Sequence, residues 1–312
     1  MLPRPVFSGE LELYRDSVRR FIAAEITPYH RDWEREGMVS REVWLKAGAA
    51  GFLCSNAPEE YGGAGADFRY NAVFTEEMGR AGATGPGFSV HSDMAASYIL
   101  NFGNDEQKAR WLPKMVTVEA DRPGFERGRN LEKLGLKAQD TSELFFTDVR
   151  VPVANRIGAE GQGFAIAMHN LAEERLSIAV SAIGACEGIL DYTVAYTKER
   201  MVFGKPVSDF QNTRFRIAEL TARTQALRVF VDRCVELAVA KELDVTTAAM
   251  AKMLATELQC EIVDQCLQFY GGYGYMMEYQ IAHAYLDARI RRIAGGSSEV
   301  MREIISRKVF GR

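Results

Sequence analysis

Apolar residues recur at helical spacing over most of this chain, and the pattern changes character only once. Leu11, Tyr14, Val18, Phe21 and Ile22 form the first stripe, with Ser8 placed to cap its start. Ser40, followed by Glu42, opens a second helix that should stop at Gly51. Residues 54–67 carry Pro58 and the cluster Gly62-Gly63-Ala64-Gly65, which predicts a loop. Asp67 caps a third helix running to about Arg80. A fourth follows Pro86 and carries Met94, Tyr98, Ile99 and Phe102. Asn104 and Asp105 then open a short piece that ends near Pro113.

Between Met115 and Gly158 the period shortens. Val116 and Val118, then Leu144, Phe146 and Val149, suggest strands broken by Pro123 and Gly124. They are too few for a sheet that stands without packing on something else. From Gly161 onward the chain reads as almost wholly helical. Three long periodic segments, 163–199, 209–243 and 246–268, are joined by short connections, and two shorter ones follow at 279–293 and 298–309. Long helices with short connections predict an antiparallel bundle. The expectation is a mainly α protein: an N-terminal helical domain (1–114), a truncated middle β segment (115–158) and a C-terminal antiparallel four-helix-type bundle (159–312).

Composition narrows the function classes. The chain has 312 residues, 47% hydrophobic and 26% charged, with a formal charge of −4. That balance argues against broad electrostatic binding to nucleic acid or to an anionic membrane. No apolar run approaches the roughly 20 residues of a membrane span, so none is expected. Arg4, Glu10, Glu12 and Arg15 fit neither a secretory signal nor an organelle transit peptide. Cys54, Cys186, Cys234, Cys260 and Cys266 are an odd number without a C-x-x-C pair, which points to reduced thiols and a cytoplasmic protein. His30, His91, His169 and His283 show no metal-ligand spacing.

Several segments match one family in order and spacing. They are Glu59-Glu60-Tyr61-Gly62-Gly63; Gln107-Lys108 with Trp111-Leu112-Pro113-Lys114; Lys137 to Phe146; and Asp148-Val149-Arg150-Val151-Pro152. Further on come Arg200-Met201-Val202-Phe203-Gly204 with Gln211, then Gln268-Phe269-Tyr270-Gly271-Gly272-Tyr273-Gly274, then Gly295-Gly296-Ser297-Ser298-Glu299. Each alone is weak, but together, over nearly the whole chain, they make it resemble the acyl-CoA dehydrogenases. One departure stands out. The family's Thr-Glu-x-x-x-Gly-Ser-Asp run and the strand after it, which grip the flavin ring, have no counterpart, as though most of a β-domain were missing at the junction between Thr117 and Glu119.

The resemblance implies an FAD-dependent α,β-dehydrogenation of an acyl-CoA thioester to the trans-2-enoyl-CoA. Many members place the base at the position held here by Gly295, and glycine cannot serve. The long-chain and isovaleryl branches place it instead in a Glu-Arg-Leu sequence, here Glu174-Arg175-Leu176, so Glu174 becomes the expected base. The bland alternative is that Glu173, Glu174 and Arg175 are a solvated helix face. Arg175, Gly295 and Gly296 are then expected at the substrate, the glycines offering a backbone N–H to the thioester carbonyl. For FAD the resemblance implies Arg200, Phe203, Gln211, Gln268, Phe269, Tyr270, Gly271, Gly272, Ser297, Ser298 and Glu299, some reaching across to a neighbouring subunit. The bland readings are a helix-to-helix turn at 203–206, a helix stop at Gly271 and a cap at Ser297. The implied partners are an electron-transfer flavoprotein and further copies of the chain in a dimer of dimers. A rival from another class is a catalytically impaired relative that keeps only subunit contacts or weak FAD and acyl-CoA binding.

Overall fold

A computed structural model of the protein describes residues 2–114 and 122–312. The strands expected at Val116 and Val118, and the junction between Thr117 and Glu119, lie outside the described residues. The N-terminal part comprises α1 (Glu10–Phe21), α2 (His30–Glu36), α3 (Arg41–Ala49), α4 (Phe68–Ala81), α5 (Ala96–Phe102) and α6 (Asp105–Trp111). An antiparallel hairpin of β1 (Phe125–Asn130) and β2 (Ser142–Phe146) follows. The rest is α7 (Gly163–Glu199), the two-residue strands β3 (Met201–Val202) and β4 (Lys205–Pro206), α8 (Gln211–Val239), α9 (Val245–Tyr270), α10 (Gln280–Arg291) and α11 (Ser298–Phe310).

The predicted caps at Ser40, Asp67, Asn104 and Ser297 each accept a backbone N–H from the first turn of their helix. Ser8 does not. Gly9 precedes α1 with a φ of 69° and no side-chain cap, while Ser8 closes the short turn Pro5–Phe7. The chain pattern also hid α2, whose only buried side chain is Trp33 and which is too short to show a stripe. It hid β1 as well, because Phe-Glu-Arg-Gly-Arg-Asn is mostly polar and mostly exposed. Val149 is not in a strand; the chain turns just before it at Asp148, where φ is 49°. The helices at 209–243 and 246–268 are shifted at their ends, with α9 capped by Asp244 and extended to Tyr270.

The paired strands would be marginal alone. Their connecting loop anchors them, with Ala138 wholly buried in the N-terminal core and the Leu136 N–H donated to Asp287 of α10 at 2.6 Å.

One long helix organises everything else. Helix α7 packs chiefly on α9 and α4, and its buried residues join Phe7, Leu11, Phe68, Ala72 and Val73 in one core, so the N-terminal helices and the bundle share a hydrophobic interior. By length and composition α7 could cross a membrane, contrary to the expectation above, but 67% of its most apolar window is buried inside the bundle. A helix apolar on every side is what a bundle centre requires.

The α4–α7 crossing is close because glycines face carbonyls. A Cβ at Gly188 would lie 2.0 Å from the Arg80 carbonyl oxygen, one at Gly184 2.4 Å from that of Glu76, and one at Gly79 2.3 Å from that of Ser181. Gly188→Val therefore forces the helices apart. The expected result is a loss of ~2 kcal/mol or more of stability, seen as a lower midpoint in thermal or urea unfolding. An unchanged midpoint would show that the crossing can spread freely.

Candidate active site

Glu174 lies on the face of α7 turned toward α5 and is only 7% exposed. The Tyr98 hydroxyl donates to its Oε1 at 3.0 Å. Burial pushes its carboxyl above the ordinary carboxylate range, while the Tyr98 hydrogen bond and the adjacent Arg175 pull the other way. Its neighbour Glu173 is different: half-exposed and paired with Lys241 at 3.1 Å. The two acids of one Glu-Glu pair thus occupy different environments because successive helix positions point about 100° apart.

Glu174 opens onto a cleft of about 530 Å³ between α4, α7, α10 and the β1–β2 loop. Phe74, Met78, Phe88, Met94 and Ile178 make much of its wall, with Gly295 at one end. The wall segment Val90–Ala95 is a π-helix, a local distortion that often accompanies functional sites. Ser177 also faces the cleft and donates to Asp93 at 3.2 Å, and Asn71 donates to the other carboxylate oxygen at 2.7 Å. Burial lifts Asp93 to about 7 despite both bonds.

Gly295 and Gly296 have φ of 67° and 98°, a left-handed turn that a residue with a Cβ would strain. Arg175, buried, donates from Nε to the Gly295 carbonyl at 3.3 Å, and wholly buried Lys252 donates to the Gly296 carbonyl at 2.7 Å. Burial and the nearby Arg175 lower the Lys252 pKa. Two cations thus hold the carbonyls of this turn. Its two N–H groups donate to nothing among the described residues.

The structure brings Glu174, Arg175, Gly295 and Gly296 together at one end of the bundle. Ser297 and Ser298 stand beside them, but Ser297 caps α11 and buried Ser298 donates to Glu257 at 2.6 Å. Glu299 is exposed next to Arg302. The remaining expected cofactor residues lie elsewhere. Arg200 follows α7, and its guanidinium sits over the Tyr273 ring at 4.7 Å without an ion pair among the described residues. Phe203 is 96% exposed at the tip of the β3–β4 hairpin. Gln211 begins α8 on the surface. Gln268 is exposed, Phe269 is half-buried, and Tyr270 is interior, stacked on Tyr196 with ring centres 3.8 Å apart. The exposed Gln268 side chain and the open backbone of Gly271 and Gly272 are accessible there to a ligand. Glu174 and Arg200 are 26 residues apart along α7, which is roughly 39 Å of helix.

Two site residues escaped the chain pattern. Tyr98 reads as one apolar position of a helix, and its partner is 76 residues away. Lys252 did leave a signal: it is a lone charge among Ala248, Ala249, Ala251 and Ala255, where an unsolvated lysine needs a partner.

Comparison with known proteins follows the same division. Residues 8–119 match the family model described as acyl-CoA dehydrogenase, N-terminal domain, and residues 161–310 match acyl-CoA dehydrogenase, C-terminal domain. The chain is 38% identical to the mitochondrial long-chain specific acyl-CoA dehydrogenase of Rattus norvegicus, over 98% of this chain and 88% of that protein. That alignment spans 377 residues, more than the 312 present here, so the relative carries a stretch with no counterpart in this chain. An acyl-CoA dehydrogenase structure from Geobacillus kaustophilus superposes with a TM-score of 0.95 at 35% identity, covering 98% of this chain and 100% of that one. A chain from a structure described as the electron transferring flavoprotein of Acidaminococcus fermentans superposes at 0.90 with 26% identity, covering 98% and 99%.

Proposed function

We propose a specific reaction for this chain, which belongs to the acyl-CoA dehydrogenase family: FAD-dependent α,β-dehydrogenation of an acyl-CoA thioester, with Glu174 as the α-proton base. The observation that carries the reading is a buried carboxylate facing an apolar cleft that ends at a glycine turn with free N–H groups. Burial raises the basicity of Glu174, and Tyr98 fixes its orientation. The thioester carbonyl belongs at the Gly295-Gly296 turn, where an N–H would stabilise the charge that develops as the α-proton leaves. Arg175 and Lys252 hold that turn from behind through its carbonyls, so they act as positioning residues. FAD, when bound, supplies the two-electron acceptor for the hydride leaving the β-carbon. Glu174 would take the α-proton, leaving that C–H electron pair to form the C=C bond, while the β-hydride would leave with its pair for the acceptor that FAD would supply.

The surface at Arg200 suits the pyrophosphate–adenosine half of FAD: an unpaired guanidinium, an almost fully exposed Phe203, the Gln211 amide and open backbone at Gly271. The distance along α7 is too great for one bound dinucleotide to join Arg200 and Glu174 of the same copy. A homo-oligomer, read as a dimer of dimers, would bring one chain's Arg200 surface to another's Glu174 cleft. Likeness to a chain from an electron transferring flavoprotein structure supports such a flavoprotein as the electron acceptor. All five cysteines are free, as a cytoplasmic setting would keep them. The impaired-relative reading rests on the missing flavin-gripping run and on the stretch that the rat relative carries without a counterpart here; it is not favoured, since cleft, acid and glycine turn are all in place.

The purified protein is expected to carry flavin absorbance that a fatty acyl-CoA bleaches. Protein without flavin absorbance, whose melting temperature FAD fails to raise, overturns the proposal. Arg200→Ala is expected to weaken FAD about tenfold, as loss of a charge-assisted contact predicts, measured by flavin retention on titration. Unchanged retention would remove Arg200 from the cofactor site.

A further inference from the structure

The apolar cleft does not end in an apolar wall. It adjoins a second cavity of about 220 Å³, and Gly79, Ala83, Thr84 and Arg291 line both. The Arg291 guanidinium, at the end of α10, makes no hydrogen bond or ion pair among the described residues. Asp287 is the carboxylate whose field reaches it, yet the Asp287 oxygens already accept from Thr84 at 2.7 Å and from the Leu136 N–H at 2.6 Å. Burial drives the Arg291 pKa down, but a guanidinium keeps its proton in a protein. What remains is a guanidinium in the wall between two cavities that has the field of Asp287 but no hydrogen-bond partner among the described residues, so its donors are open to an incoming anion.

A cation near a helix C-terminus can simply answer the helix dipole. Arg289 already does this from the surface of the same turn, with no need for a second, inward arginine. The second cavity also holds two other polar atoms without partners, the Tyr192 hydroxyl and Gln259 Oε1. Of these two the Tyr192 hydroxyl can donate to an anion, whereas the Gln259 oxygen accepts; Arg80, Glu34 and Asp287 also line this cavity.

Resting on the acyl-CoA reading, we infer that this enzyme selects thioesters whose acyl chain ends in an ω-carboxylate, bound by Arg291 with Tyr192 as a second donor. Glu174 and Ser181 both line the cleft, seven residues apart on α7, which is roughly 10 Å of helix and suits a chain of medium length. A methyl terminus in the same slot would leave the guanidinium donors without a hydrogen-bond partner.

The test compares binding of decanoyl-CoA and its ω-carboxy counterpart sebacoyl-CoA, each as the analogue with sulfur in place of the β-methylene so that no hydride can leave. Titration calorimetry on the flavin-loaded protein is expected to show the carboxylate form binding at least tenfold tighter. Arg291→Met should reverse that order, and Glu174→Gln should preserve it. Unliganded Arg291→Met should melt close to the wild type, because no hydrogen bond or ion pair among the described residues is removed. Equal affinity for the two analogues, an equal loss of both in Arg291→Met, or a clearly lower melting temperature for that variant would overturn the inference while leaving the acyl-CoA reading intact. Failure of both analogues to bind the wild type would overturn the two together.

Discussion

Glu174→Gln is expected to slow acyl-CoA-dependent flavin bleaching by about 10²–10⁴-fold, the usual contribution of a positioned general base, while thioester affinity changes little. Glutamine keeps the shape and can still accept the Tyr98 hydrogen bond, so the cleft should stay intact. What disappears is the electron pair that takes the α-proton. Glu173→Gln is the matched control, because that side chain is half-exposed and paired with Lys241, and it should bleach at the normal rate. The pH dependence gives an independent reading. Only the ionised carboxylate is a base, so the single-turnover rate should rise with pH through a value above the ordinary carboxylate range. The Tyr98 bond stabilises the charged form, so Tyr98→Phe should move that limb to still higher pH. A Glu174→Gln protein that bleaches normally, or a rate limb insensitive to Tyr98→Phe, would remove Glu174 from the chemistry.

Part of this site was legible in the chain and part was not, for definite reasons. Glu174-Arg175-Leu176 and the Gly295-Gly296 pair are local signatures, and the fold brings these ends of two distant segments together. Helices α7, α8 and α9 were legible because they are long and periodic, and α4 and α6 because Asp67 and Asn104 cap their starts. Helix α2 and strand β1 were not, since each buries very little and takes its conformation from its neighbours. Arg175 illustrates a subtler limit. The chain offers it either to acyl-CoA or to a solvated helix face; the structure shows it buried and holding a backbone carbonyl, a partner that no residue-type pattern reveals. Arg291 shows the same limit in reverse: among the charges of α10 only packing distinguishes the inward arginine from the outward one.

The largest stability effect belongs to a residue outside the cleft lining, Glu76 on α4. It is 2% exposed and accepts from Arg4 at 2.7 Å, Arg15 at 2.6 Å and Arg228 at 2.5 Å. Those arginines come from the N-terminal segment, α1 and α8, so a single carboxylate ties three separate parts of the chain to α4. Burial alone would raise its pKa, but the attraction of Arg228, Arg4 and Arg15 wins and holds it at about 2. Around it Asp232 meets Arg4, Glu77 meets Arg15 and Arg19, and Glu187 meets Arg80 and Arg228. Glu76→Gln leaves the shape but strands positive charge in the interior, and is expected to destabilise the protein by ~3–5 kcal/mol in urea unfolding. Arg228→Met should cost less, because Arg4 and Arg15 still neutralise Glu76 and Arg80 still meets Glu187. The sign of the pH effect follows from the depressed folded-state value. The stabilisation is complete above the ordinary glutamate pKa near 4.5 and is lost as pH falls from there toward about 2. Glu76→Gln should therefore be less stable at neutral pH and lose less on acidification. Parallel acid-unfolding curves for the two proteins would mean that Glu76 carries no such linkage, and that the interior charges are solvated in a way this packing does not show.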